Sequence, residues 1–462
     1  MRVEQEYKKT GYFWLPESEE DKIPGVLTIS DGGRIELEIV GHFNEAIQAS
    51  TDNTEISRII GHVEGDGLVT LNDCFYTVKN IAFGGISKSK ILVQQVLSGA
   101  AWEKDEAVTF NTLSFSVDCL DEWVGLSGIK VDRDWNNKTA TISYSAPENI
   151  SLMLNNGLKL KICFAYTLPG APKVTEAKIT QRAYFRLESD RLIDLSEFTT
   201  LVFKITNLMC FATNEIVTIK NLVATSREIQ FEPITGKQSP VPISIYYQSI
   251  PFAEKTPKKN WHEMLFNFKT IADVAEEVFN KWLDAYEDLS PALNLYFSTQ
   301  AGAQKYLDGK FLALAQGLET YHRRTSTETL MKPETFDSLV EEIIKGCPEN
   351  HVEWLKGRLA HGNEINLGKR LKKIIEPFKQ HLGSSSDRSK FLRKIVDTRN
   401  YLTHYSEDLK DKTAKGREMW AICQKMEVIF NLHFLKVIGF NEDKIDSVVE
   451  NSHLLKRKLQ EI

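Results

Sequence analysis

The chain has 462 residues, 42% of them hydrophobic and 26% charged, with a formal net charge of -6. That composition is of ordinary globular protein, too long for one hydrophobic core, and it sets disorder aside. The mild acidity argues against a surface that coats nucleic acid throughout, yet leaves room for a local basic site.

The opening MRVEQEYKKT carries charge with no apolar core segment, and no later run reaches the roughly 18 apolar residues of a membrane span. A cytoplasmic protein without membrane contact is expected. From there to about Gln248 the signal is strand. "VLTIS-DGG-RIELEIV" alternates apolar and polar residues around Asp31, Gly32 and Gly33, as a tight hairpin requires. Similar short runs follow, among them "GLVTLNDCFYTV", "AVTFNTLSFSV", "LKLKICFAYTL" and "PISIYYQS". They predict a β-rich domain over 1–250, of sandwich or jelly-roll type. Tyr12, Phe13 and Trp14 are expected to seal an edge or interface of it. The prolines at 251 and 257 mark a connector over 251–261.

The period changes at Trp261. "HEMLFNFKTIADVAEEVFNKWLDAY", "FDSLVEEIIKGC", "KRLKKIIEPFKQHL", "KFLRKIVDTRNYLTHY" and "EMWAICQKMEVIFNLHFLKVIGF" space apolar residues three and four apart. Residues 262–462 therefore read as an all-α helical bundle, and the whole as an α+β multidomain chain. Ser386 or Asp387 is the expected N-cap of the helix that follows the Gly383 break. Cysteines 74, 119, 163, 210, 347 and 423 are scattered with no metal-ligand spacing and read as buried free thiols. Neither metal nor cofactor is called for. No phosphate-binding glycine loop, H-E-x-x-H or G-x-S-x-G pattern is present.

One stretch resists a purely structural account. In "DTRNYLTHY", Arg399 falls on the apolar stripe traced from Leu392 through Ile395 or Val396 to Leu402. A guanidinium there needs an acid, a second subunit or an anionic ligand. His404 diverges from it by about 140° on an ideal helix, whereas Asn400 and His404 share a face. Lys369, Arg370 and Lys373 lie on one candidate helix and Lys390, Arg393 and Lys394 on the next, two basic stretches suited to RNA. His322, Arg323 and Arg324 read as exposed charge between helices, and His361 as a loop residue.

Arg399, Asn400 and His404 resemble the signature of HEPN ribonucleases. Together with "WLKGRLAHGNEINLGKRLKKIIEPF" and "GYFWLPESEEDKIPGVLTISDGGRIELEIVGHF", they resemble the bacterial ApeA family of anti-phage defence proteins. The resemblance implies an ApeA-type N-terminal domain, sensing a phage-derived trigger, joined to a HEPN nuclease domain. It implies a homodimer or higher oligomer with two motif helices facing one cleft, and abortive infection through cleavage of RNA. Arginine suits the charge that gathers on a phosphorane, and histidine the proton transfers. A structured RNA with unpaired nucleotides, tRNA included, is the expected substrate. The alternative is a non-catalytic HEPN adaptor that binds nucleotide or dimerises, with the β-domain as sensor.

Overall fold

A computed structural model describes residues 1–43, 55–80, 85–171, 173–231, 238–302 and 304–460. The chain divides into two compact units, Met1–Leu283 and Asp284–Ile462.

The first unit begins with β1 (Tyr7–Trp14), β2 (Ile23–Ser30), β3 (Arg34–Val40), β4 (Glu55–Val63), β5 (Gly67–Asn80) and β6 (Lys88–Ser98). These six pair in the order β6-β3-β2-β1-β4-β5, and β5 pairs again with β6, so the sheet closes on itself. Every pairing around the ring is antiparallel. Alternation along each strand fills the interior with Phe13, Leu27, Ile29, Leu37, Ile59, Leu71 and Ile91. Gly11 faces Gly25 across β1 and β2, where strands coil tightly. A Cβ at Gly11 would lie 2.4 Å from the His62 carbonyl oxygen, so only glycine fits. The hairpin expected at Asp31-Gly32-Gly33 is present, with Gly33 at φ 79 and no room for a side chain against the Tyr247 carbonyl.

The β-rich expectation holds, and its form is a six-strand barrel that runs into an open sheet rather than two stacked sheets. The cause lies in β6. Residues 88–93 pair with β3, whereas Gln95–Ser98 pair with a later strand, β16 (Ile243–Tyr247). Between the two come β7 (Thr109–Val117), the hairpin β8 (Ile129–Asp134) and β9 (Thr139–Tyr144), then β10 (Ile150–Met153), β11 (Lys159–Thr167) and β12 (Thr180–Asp194). After these follow β13 (Ile219–Thr225) and a minor pair, β14 (Gln230–Phe231) and β15 (Ser239–Pro240). The open sheet continues β6-β16-β13-β7-β12-β11-β10. Helix α1 (Leu195–Thr213), capped by Asp194 accepting from the Ser196 amide at 2.7 Å, buries Phe198, Val202, Ile205 and Leu208. Phe13 and Trp14 are buried, as a sealing role requires, while Tyr12 is exposed.

Arg2 ties three parts of this unit together. Its buried guanidinium donates to Asp31 at 2.6 Å and to the Ala253 carbonyl at 2.7 Å, and pairs with Asp118 at 3.4 Å. The unit runs past residues 251–261, into helix α2 (Ala275–Gln300), because Trp282 stacks on Phe211 and donates to the Lys204 carbonyl at 2.8 Å.

The second unit is helical. It comprises the rest of α2, α3 (Leu307–Thr325), α4 (Pro333–Lys345), α5 (Val352–Leu359) and α6 (Leu367–Ile375). Then come α7 (Ser385–His404), α8 (Gly416–Val437), α9 (Glu442–Asn451) and α10 (His453–Gln460). The core helix is α8, buried on nearly all sides, with Phe430 approaching so near to Gly317 that a Cβ there would sit 2.8 Å from the ring. Within α8, Glu427 is buried and meets Lys310 of α3 and Lys458 of α10, each at 2.6 Å. Asn431 accepts from the Tyr296 hydroxyl at 2.6 Å, and His433 donates to the Ile374 carbonyl at 2.9 Å. Of the cysteines, all but Cys347 are buried, and none is disulfide-bonded. Among the described residues no helix is long and apolar enough to cross a membrane.

Candidate nuclease site on the motif helix

Helix α7 starts a little earlier than the spacing suggests. Ser384 is its N-cap, in a reciprocal capping box with Asp387, so neither Ser386 nor Asp387 takes that place. The buried face is Phe391, Ile395 and Thr398. Thr398 enters the core because its hydroxyl accepts from the Ala414 amide at 2.8 Å. The stripe is therefore turned slightly from the one traced through Leu392, and Arg399 stands at its edge, with a side chain 36% exposed.

The acid that Arg399 requires is Glu319 of α3, at 3.5 Å. Its guanidinium also donates to the Asn400 side-chain oxygen at 3.3 Å. Asn400 thus orients the arginine and not the histidine, although it shares a helical face with His404. His404 is the last residue of α7, exposed and without a hydrogen bond among the described residues. Tyr405 then ends the helix in the left-handed conformation, φ 51, its amide donating to the Tyr401 carbonyl.

Glu319 is the residue that sequence reasoning missed. It lies far from the motif in the chain, and its one local signal was Arg323, four residues on and one helical turn away. Arg323 bridges Glu319, at 3.1 Å, to Glu364. Glu364 in turn accepts from His361 at 2.8 Å and meets Arg370 at 3.4 Å. Arg323 and His361 hold the Glu364 carboxyl below the usual range. A chain of alternating charges therefore runs from Arg399 into α6.

Arg370 belongs to that chain and not to an RNA surface. It is buried, donates to the Ile365 carbonyl at 2.9 Å and approaches His322 at 3.3 Å. His322 is likewise buried at the end of α3 rather than exposed between helices, and burial, then Arg370, pushes its imidazole down. A guanidinium donating to a ring nitrogen needs that ring neutral. Of the other basic candidates, Lys369 is exposed and Lys373 pairs with Glu328 at 3.0 Å. Lys390 and Arg393 are exposed on α7 itself, and Lys394 pairs with Glu418 at 3.4 Å. Among the described residues no cluster of His, Cys, Asp or Glu is arranged to hold a metal ion.

A β-barrel unit followed by a helical unit, with an arginine, asparagine and histidine on one helix, defines a HEPN-type domain behind a β-rich partner. The family model for the Apea-like HEPN domain matches residues 312–444, which include Glu319, Arg399, Asn400 and His404. That for ApeA N-terminal domain 1 matches residues 8–282, more than half of the chain, and the chain belongs to the ApeA family. No curated protein and no solved structure matches it.

Proposed function

We propose that the chain is an endoribonuclease of anti-phage defence, cutting RNA by attack of a 2′-hydroxyl on the adjacent phosphate. The observation that carries this is Arg399, half-exposed and held by Glu319 and Asn400, on the same helix as an unencumbered His404.

The chemistry needs three services. A base takes the 2′-hydroxyl proton as the O2′–P bond forms, a cation faces the equatorial oxygens, and an acid protonates the departing 5′-oxygen as its bond to phosphorus breaks. A 2′,3′-cyclic phosphate and a free 5′-hydroxyl result, and no oxidant or reductant is involved. Arg399 presents a planar fork to the phosphate oxygens, for which Glu319 serves as the resting counter-ion. His404 exchanges protons near neutrality. One protomer supplies one such histidine, turned away from Arg399, so the second comes from another copy of the chain in a homodimer whose α7 helices face one cleft.

The substrate class is RNA with unpaired nucleotides, tRNA among them, because in-line attack needs a backbone freed from the duplex. The barrel unit is the sensor, which holds the nuclease quiet until a phage-derived trigger binds.

The test is cleavage of RNA by the purified protein in excess EDTA, with Arg399→Ala and His404→Ala alongside. Cyclic-phosphate ends that disappear in both variants support the reading. Cleavage that survives both, or that requires added metal, overturns it.

A further inference from the structure

Helix α7 also lines a groove of about 780 Å³. Its floor is apolar, formed by the buried Leu382, Phe391 and Ile422. Its walls carry Lys390, Arg393 and Lys394 of α7, Lys412 from the loop that follows, and Lys425 of α8. Three carboxylates share the groove, and two of them already have bonded partners. Asp387 closes the α7 capping box with Ser384, and Glu418 pairs with Lys394 at 3.4 Å. Asp387 also acts across the groove on Lys390 and Lys425, yet Lys390, Arg393, Lys412 and Lys425 make no salt bridge among the described residues, so the cations outnumber the carboxylates by five to three.

Lys425 is half-buried, and that burial pushes its ammonium below the ordinary lysine range despite the neighbouring Asp387. A cation held partly out of water without a bonded carboxylate is costly, and an anion entering the groove offsets that cost. The cations are spread along a helix instead of converging on one point, which matches a string of phosphates better than a single one. The apolar floor gives an unstacked base a surface to cover.

The groove also leads toward His404, on the side of α7 away from Arg399. Positions 390, 393, 394 and 397 recur at three and four residues on α7, and the same face continues through Asn400 and Tyr401 to His404. At about 1.5 Å per residue, Arg393 precedes His404 by about 16 Å along the axis. That is several nucleotides of extended strand. Neither Lys369 nor Lys373 lines the groove.

We propose that this groove is a docking channel for single-stranded RNA, gripping the strand several nucleotides from the bond that is cut. It rests on the ribonuclease reading of Arg399 and His404, and adds Lys412 and Lys425 to the substrate contacts.

The experiment is fluorescence anisotropy with a 2′-O-methyl oligonucleotide, which cannot be cut, on the full chain and its His404→Ala, Lys425→Gln and Arg393→Gln/Lys412→Gln variants. Wild type and His404→Ala bind alike. Both groove variants bind at least tenfold more weakly, and the slope of log K against log salt falls by about 0.7 per phosphate contact removed. Arg393 and Lys412 are exposed, so the double variant keeps the test valid if Lys425→Gln melts early. Unchanged affinity and slope in the folded variants overturn the channel, whether or not the protein cleaves RNA. Lost binding in those variants upholds the channel whatever the cleavage assay gives, while cleavage that survives Arg399→Ala and His404→Ala sinks the ribonuclease reading alone. Equal affinity for AMP and for the oligonucleotide also overturns it, since a strand would then add nothing.

Discussion

At the scale of single residues, Glu319 sets the behaviour of Arg399. It pairs with the guanidinium through one carboxylate oxygen at 3.5 Å, and in the proposed mechanism a phosphate entering the site replaces that contact. Glu319→Gln should therefore lower turnover on the order of tenfold to a hundredfold, with little change in KM, because a misplaced cation costs rate more than binding. A faster variant would instead mark Glu319 as a competitor of the phosphate. His433 offers a test of stability. Full burial pushes its imidazole down to about 4, so the folded state binds fewer protons than the unfolded one, where the value is about 6.5. Its contribution is complete above about pH 6.5 and is lost as pH falls toward 4. The urea midpoint should fall across that window, and His433→Gln should flatten the fall.

At the scale of elements, the buried Glu427 fastens α3 and α10 to α8. Burial alone would raise its carboxyl, but Lys458 and Lys310 outweigh this and hold it below the usual range. Glu427→Gln leaves two half-sheltered ammonium groups facing a neutral amide and should cost on the order of 3 kcal/mol by chemical denaturation. Lys458→Met should cost less, since Lys310 still pairs. In the barrel, Gly11→Val must displace the His62 backbone and should lower stability by several kcal/mol or prevent folding, which circular dichroism reads directly.

Much at this scale was legible in the chain. The Asp31-Gly32-Gly33 turn and the helical spacing after Trp261 follow from local chemistry alone. What was not legible depends on distant partners. Nothing in "KSKILVQQVLS" shows that one half of β6 faces β3 and the other β16. Nothing in the spacing marks Thr398 as a core residue, because its partner, the Ala414 amide, lies beyond the end of the helix. Arg370 looked like part of a basic stretch because its burial depends on Ile365, His322 and Glu364, which spacing does not bring together. Arg399, Asn400 and His404 stood out because Arg399 falls on the apolar stripe and the three resemble a known signature, and the structure places them on a single helix.

At the scale of the whole molecule, the proposed cleft needs two copies of the chain. Specific activity should then fall on dilution in step with the dimer fraction seen by analytical ultracentrifugation. A monomer that keeps its full rate would mean that His404 works alone.

The divided pairing of β6 has a consequence for how the chain is made. The open sheet lacks its seam strand until β16 is available, although the six strands of the barrel, β6 included, are finished much earlier. During synthesis the edge of Gln95–Ser98 must wait unpaired while some three further hairpins are added, a period in which a holding chaperone has an obvious target. Ile243–Tyr247 leaves the ribosome ahead of every helix of the second unit, so the seam can be sealed before the segment bearing Arg399 and His404 has been translated. The order of translation alone would thus ensure that no nascent chain carries a complete motif helix before its β-rich half has had the chance to fold.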